Sequence, residues 1–308
     1  MHTSPLSSPA QAPRISRGPA SLPTLESTPP ATRDEPLDLA SAFLACLQPE
    51  LARTEPQRNE VHRLRHQVYC EELRFEPLRP DGRETDPFDP QSVYCTVRHR
   101  RSGVLAGTVR LVGKRHAGEQ LPMEAHCAHG LTHESLQPGH FPPHEVCEIS
   151  RLAVPPRFRK QRPEPGEGAS AMAHMGFSAE ELRTFPYIAV GLYLSAIAMA
   201  CHTGRFHMYA VMEPRLARGL GFAGIRFERL GPVIEYHGQR AAYHLDSRTG
   251  PQGLAPMYQD LLQQLDARLF PAETARGGAS GLWPLRGRAL GDVRPPSAGA
   301  TTPSQSPP

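Results

Sequence analysis

Apolar positions along this chain follow helical spacing in some stretches and strand-like runs in others, and together they predict a mixed α/β sheet. Residues 38–53 set Leu39, Ala42, Phe43, Cys46 and Leu47 at helical spacing, with Asp38 placed to cap the helix and Pro49 to stop it. A second helix is predicted over 58–75, where Val61, Leu64, Arg65, Val68 and Tyr69 recur at three and four. Asp81-Gly82 marks a turn, and 84–89 is an acidic loop closed by Pro90. Two β-rich runs, 93–98 and 104–112, flank Arg101-Ser102-Gly103 and predict an antiparallel hairpin. Residues 113–144 are irregular. Residues 146–154 are a run of β-formers stopped by Pro155-Pro156, which predicts a central strand, and a Gly- and Pro-rich loop follows at 161–170. Next come an apolar helix over 187–201 ending near Gly204, a strand over 205–212, and a short helix over 214–218 ended by Gly219-Leu220-Gly221. Strand-like runs at 224–235 and 240–246 and an amphipathic helix over 254–269 complete the pattern, with no repeat at solenoid spacing.

The central run carries the candidate chemistry. Glu148, Ser150 and Arg151 are set among apolar neighbours, where burying them is costly unless they are paired or used. A basic cluster, Arg157, Arg159, Lys160 and Arg162, follows at once. A buried carboxylate and guanidinium at the mouth of a sheet, with cations just beyond, point to a phosphate-bearing substrate. In a regular strand, residues three apart face opposite sides, so a bulge near Ser150 is required to bring Glu148 and Arg151 to one face. The competing reading is a buried structural ion pair between them.

Composition narrows the classes. Residues 1–37 are rich in Pro, Ser and Thr and 271–308 in Pro, Gly, Ala and Ser; neither has an apolar period, so both are expected to be disordered around one domain at 38–270. The net charge of +3 is too small to argue for nucleic acid. Lys114 and Lys160 are the only lysines, and GC-rich coding alone produces such an arginine bias. Six cysteines are scattered with no CxxC, which fits reduced thiols in a cytoplasm. No secretory h-region is visible, and the fifteen apolar residues of 187–201 fall short of a membrane span, so a soluble protein is expected. His126, Cys127, His129, His133, His140, His144 and Cys147 crowd one segment, but their spacing fits no recognised zinc site.

Five short motifs carry a resemblance that spans about 58–246. They are Arg65-x-x-Val68-Tyr69-x-x-Glu72-Leu73-x-Phe75, Glu84-x-Asp86-x-x-Asp89, Gly107-Thr108-Val109-Arg110-Leu111, Leu121-Pro122 and Glu148-Ile149-Ser150-Arg151-Leu152-Ala153-Val154. All but Leu121-Pro122 resemble, in this order, the motifs of the acyl-homoserine-lactone (autoinducer) synthases of the GNAT fold. A nearer resemblance is to the PEP-CTERM/exosortase system-associated acyltransferases, related to N-acyl amino acid synthases. The resemblance implies a bacterial GNAT-like mixed sheet that moves a fatty acyl group from a carrier thioester to the amine of a small acceptor such as an amino acid. No bound cofactor is implied; acyl-CoA or acyl-ACP would be the donor.

Two departures qualify the pattern. Pro155-Pro156-Arg157-Phe158-Arg159 stands where coenzyme-A-using relatives have a Gly-rich pyrophosphate loop, and Gly166 and Gly168 come later among prolines and glutamates. That leaves room for an acyl carrier protein as partner. Phe75 stands where the autoinducer synthases have tryptophan.

The chemistry assigns expected roles. Amide formation from a thioester needs a neutral amine and a stabilised oxyanion, so Glu148 is the candidate base, Arg151 its orienting group or a carboxylate receptor, and the bulge at Ser150 a source of a free peptide N–H. Asp86 and Asp89 would hold the acceptor's amino group with Arg65 and Arg110 as counter-charges, against the plainer reading of a solvated acidic loop. Arg157, Arg159 and Lys160 would receive the carrier. Phe75, Phe88 and helix 187–201 would line an acyl tunnel, unless they are plain core. A CoA-dependent GNAT acetyltransferase and a non-catalytic module sensing acyl thioesters or metal are the alternatives.

Overall fold

The computed structural model describes residues 38–159 and 176–271. Residues 1–37, Lys160, Arg162, the loop at 161–170 with Gly166 and Gly168, and all of 271–308 except Pro271 lie outside the described residues.

The chain begins with α1 (Leu39–Cys46), whose first turn is capped by the Asp38 carboxylate accepting from the Ser41 amide at 3.0 Å. The predicted helix ends early. From Leu47 the backbone becomes extended and forms β1 (Leu47–Leu51), an edge strand whose buried residues alternate. Pro49 is tolerated there because an edge strand has one side without ladder bonds. Helix α2 (Glu55–Arg65) starts before its expected position, fixed by a reciprocal Thr54–Gln57 capping box and Pro56 in the first turn. It runs on through a π-helical turn, His66–Glu72.

Strands β2 (Ser92–His99) and β3 (Leu105–Gly113) form the expected hairpin, with Gly103 at φ +69° in its turn. After α3 (Pro122–His126) and several single 3-10 turns comes β4 (Val146–Ala153). Next are α4 (Ala179–Thr184), α5 (Ile188–His202), β5 (His207–Met212) and α6 (Pro214–Phe222), which runs through Gly219 and Gly221 instead of stopping there. The predicted strand over 224–235 reduces to two-residue segments, β6 (Glu228–Arg229) and β7 (Ile234–Glu235); β8 (Gln239–Asp246) and α7 (Pro256–Leu269) complete the described chain. The sheet runs β1-β2-β3-β4-β5-β8-β6, with β7 also on β8. Every pairing is antiparallel except β4 with β5.

One face of the sheet packs on α1, α5 and α7 to form the main core. From Ile188 to Cys201 every residue of α5 is buried, so this helix is part of the main core. Its approach to α1 depends on Gly191: a Cβ there would sit 2.6 Å from the Phe43 ring. The helical run Ala179–His202 is 24 residues long and apolar enough to cross a membrane, but 89% of its most apolar window is buried inside the fold. The opposite face carries Val112, Val146, Tyr209 and Ala242 under the irregular 113–145 segment, which buries Leu121 and Met123 against them. Buried Arg205 pins that cover by donating to the carbonyls of Lys114 and Val146, each at 2.8 Å.

Candidate active site

The parallel pairing of β4 with β5 ends at Ile149 opposite Ala210, although β4 continues to Ala153. From Ser150 onward β4 therefore has no β5 partner, and the two strands part. On its other side β4 pairs with β3, where Arg110 lies opposite Ser150 and Thr108 opposite Ala153, so β4 carries one extra residue. Arg151 takes it up at φ +49°. The result is the β-bulge that the polar pattern required: Glu148, Ser150 and Arg151 all line one cavity of about 70 Å³.

Glu148 is 3% exposed and accepts one hydrogen bond, from the Met123 amide at 2.8 Å. Burial pushes its carboxyl up to about 8, more than that bond and the more distant charges of Arg110 and Arg151 pull it down. Among the described residues no arginine or lysine forms an ion pair with it, so the competing reading of a structural pair with Arg151 does not hold.

Arg151 turns instead to the acidic side. Its guanidinium donates to Glu84 at 3.1 Å and Glu76 at 2.9 Å, and lies 3.5 Å from Asp86. It also lies 5.3 Å from the centre of the Tyr69 ring, whose hydroxyl donates to the Leu152 carbonyl at 2.7 Å. Arg151 is thus a spoke of the acidic loop through its Nε and Nη2 atoms.

That loop is not solvated. Arg65, fully buried, is bonded to Glu84 and holds Asp89 at 2.7 Å. Arg110 reaches Asp86 at 2.6 Å and Asp89 at 2.8 Å, and its Nε donates to the Ser150 hydroxyl at 3.1 Å. The Tyr94 hydroxyl donates to Asp89 at 2.8 Å. Burial opposes ionisation of Glu84, Asp86 and Asp89, but the arginines outweigh it and hold all three below the usual carboxylate range. The counter-charges expected for Asp86 and Asp89 are therefore in place. The Asp86 Oδ2 atom has only long contacts, 3.5 Å to Arg151 and 3.8 Å to Arg65.

Other candidates separate. Phe75 lines the cavity, stacked on His237 with centroids 4.9 Å apart, whereas Phe88 packs under the irregular segment beside His126. Arg157 is exposed, its guanidinium 5.2 Å from the centre of the Phe158 ring. Arg159 is engaged: it donates to both oxygens of Glu72, at 2.7 and 2.5 Å, and to the Val154 carbonyl at 2.6 Å. It is a tie between β4 and the π-helical turn rather than an open phosphate receptor. All six cysteines are buried free thiols; burial raises the Cys70 thiol and pushes that of Cys147 up to about 12, which disfavours thiolate at either. Among the described residues no three or more His, Cys, Asp or Glu side chains are grouped to hold a metal ion.

Sequence reasoning missed five cavity residues, Glu76, Val211, Tyr236, His237 and Arg240. The last three come from the β7–β8 hairpin, Tyr236 and His237 from its turn and Arg240 from the start of β8, far along the chain, and no local pattern marks them. Met123 was signalled only by its neighbours Leu121-Pro122.

A model of the acetyltransferase (GNAT) domain matches residues 64–164, less than half of the chain, and includes β4 and its bulge. No curated protein matches. Among solved structures the fold is similar to BjaI, a CoA-dependent acyl-homoserine lactone synthase determined with MTA: 20% identity over 72% of this chain and 89% of that one, at a TM-score of 0.50. TofI in a ternary complex with an inhibitor and MTA follows at 19% identity over 73% and 98% of the two chains, TM-score 0.49. FeeM, an N-acyl amino acid synthase from uncultured soil microbes, matches at 14% identity over 69% and 97%, TM-score 0.44. The mixed sheet thus has a GNAT-like fold, and the match to the acetyltransferase (GNAT) domain spans its strands β2, β3 and β4.

Proposed function

We propose that this protein is an N-acyltransferase that moves a fatty acyl group from a carrier thioester to the amine of a small acceptor, with Glu148 as the base. The observation that carries the reading is the state of Glu148: a buried carboxyl without a cationic partner, raised to about 8, beside the point where β4 leaves β5. A base of that strength suits removal of a proton from an amine near neutral pH. In the reaction the amine attacks the thioester carbonyl, Glu148 takes the amine proton, and the C–S bond breaks as the amide forms, the carrier leaving as a thiolate that takes that proton back from Glu148. The backbone edge of β4 beyond Ile149, unpaired with β5, offers peptide N–H groups to the developing oxyanion. Asp86 and Asp89, held by Arg65 and Arg110, shape the acceptor side, with Phe75 on its wall.

Acyl carrier protein is the donor's carrier in this reading. Directly after β4 the chain makes one 3-10 turn, Pro156–Phe158, so the position of the pyrophosphate cradle is taken by prolines, and exposed Arg157 offers charge to an acidic carrier. Lys160 would add to it. An N-acyl amino acid product, an exosortase/PEP-CTERM context and a cytoplasmic place of action complete the proposal, with 38–270 acting as one domain.

The test is direct. Purified protein is given acyl-CoA or acyl-ACP with a mixture of amino acids, and products are read by mass spectrometry. An N-acyl amino acid formed from acyl-ACP supports the reading; acetyl transfer from acetyl-CoA alone would replace it with the acetyltransferase, and no product with any donor would leave a binding module.

A further inference from the structure

A second group of polar side chains, sharing no residue with the cavity at Glu148, gathers where the β2–β3 turn meets α4. His99 closes β2 and is 1% exposed; the centres of the Phe158, Phe177 and Phe185 rings lie 5.7, 5.5 and 5.7 Å from its own. Both of its nitrogens are engaged. Nε2 lies 2.8 Å from Glu181 Oε1, and Nδ1 lies 2.8 Å from the hydroxyl oxygen of Ser102, an exposed residue of the turn. Arg101 donates to both Glu181 oxygens, at 2.9 and 2.8 Å, and the Ser178 amide adds a third donor at 2.6 Å. Burial opposes ionisation of Glu181, but Arg101, the Ser178 amide and His99 outweigh it and hold its carboxyl down to about 2. An ionised carboxylate only accepts, so the neutral His99 ring carries its hydrogen on Nε2 and presents a bare Nδ1 to the Ser102 hydroxyl.

A hydroxyl bonded to an imidazole whose other nitrogen is fixed by a carboxylate is the arrangement of an activated nucleophile, whatever fold carries it. We propose that Ser102 is such a nucleophile and takes an acyl group from activated esters or thioesters, at a site separate from the one at Glu148. Ser102 Oγ attacks the carbonyl carbon, and His99 Nδ1 takes the hydroxyl proton. The C–S or C–O bond then breaks, the leaving thiolate or alkoxide takes that proton from His99, and the acyl group stays on Ser102 as an ester. Among the described residues the backbone amides of Arg101 and Ser102 have no acceptor, so both remain free to donate to the oxyanion. A tie between the turn and α4 accounts for the His99–Glu181 bond alone and needs no hydroxyl at position 102. The other side-chain contact of Ser102 is a long one, 3.4 Å from the Val104 amide. Exposure at the turn lets an acyl group borne on a large carrier reach the hydroxyl.

The experiment exposes the full chain to a fluorophosphonate probe, to p-nitrophenyl butyrate, and to butyryl-CoA and butyryl-ACP, and locates adducts by peptide mass spectrometry. The other exposed serines of the same molecule are the internal reference. The parent protein is expected to carry the adduct on Ser102 well above that reference, and Ser102→Ala, a surface change, should lose it while melting as the parent does. His99→Gln keeps an acceptor but takes no proton, and should slow labelling of Ser102 about a hundredfold. Reaction with the oxygen ester alone assigns activated esters as the source, and reaction with the CoA or ACP conjugate assigns thioesters; either supports the proposal. Labelling of Ser102 no faster than that of the reference serines overturns it even if His99→Gln does not fold. Undiminished labelling in a folded His99→Gln protein overturns it as well. The adduct is read on Ser102 itself, so the outcome is independent of amide formation at Glu148.

Discussion

Glu148 and Arg151 share one cavity wall and form no ion pair: the carboxyl takes the Met123 amide, and the guanidinium takes Glu76 and Glu84. Removing Glu148 therefore leaves no buried cation behind. Glu148→Gln should melt at or slightly above the parental temperature and turn over at least about a hundredfold more slowly. A variant that retains parental turnover would remove Glu148 from the mechanism.

The same carboxyl sets a pH dependence. Its folded value near 8 lies above the unfolded value near 4.5, so the folded state holds a proton that the unfolded state releases. Its contribution to stability is complete below about pH 4.5 and is lost as pH rises through about 8. Parent and Glu148→Gln should thus diverge in denaturant midpoint between those limits, the parent falling relative to the variant. Turnover should rise over the same upper range as the base form appears. Parallel midpoints from pH 5 to 9 would contradict both.

Glu84 has the opposite sign. It is fully buried between Arg65 and Arg151, which hold it below its usual range against the cost of burial, so its stabilisation exists above about pH 4.5 and is lost on acidification. Glu84→Gln removes the charge bonded to Arg65 Nε and to Arg151, leaving Arg65 with Asp89, and should cost about 3 kcal/mol at neutral pH, measured by urea unfolding, with a shallower acid limb. A loss under about 1 kcal/mol would show that the network is not carrying the loop.

Carrier docking separates Arg157 from Arg159. Arg157→Glu should lower kcat/KM for acyl-ACP about tenfold at low salt, with the deficit shrinking as ionic strength rises, and leave melting unchanged. Arg159→Glu should lower melting temperature, because it places a carboxylate against Glu72 and the Val154 carbonyl. Undiminished use of acyl-ACP by Arg157→Glu would argue for another docking surface.

Deleting 1–37 and 271–308 should leave melting temperature and turnover nearly unchanged, since the apolar pattern is confined to 38–270. A fall of many degrees on deletion would place part of the core outside that range.

The sequence by itself determined the elements whose signals are local. Alternating and helical apolar periods marked the β2–β3 hairpin, β4, α5 and α7, and Pro155-Pro156 marked where β4 stops. The helix expected to stop at Pro49 gives way to β1 at Leu47, since Pro49 stops a helix and sits equally well on a sheet edge, and only pairing with β2 chooses between them. Glu148, Ser150 and Arg151 stood out because polar groups in an apolar run demand an explanation, and the bulge followed from their spacing. Tertiary structure decided which charges meet. Glu148 and Arg151 are three residues apart, yet a positive φ at Arg151 sends its side chain to the acidic loop, and the cavity is closed by Tyr236, His237 and Arg240 from a distant hairpin. Charge partners are chosen by distance in space. A bulge of one residue and a strand separation after Ile149 set those distances, and neither the partners nor the cavity is written in any window of neighbouring residues.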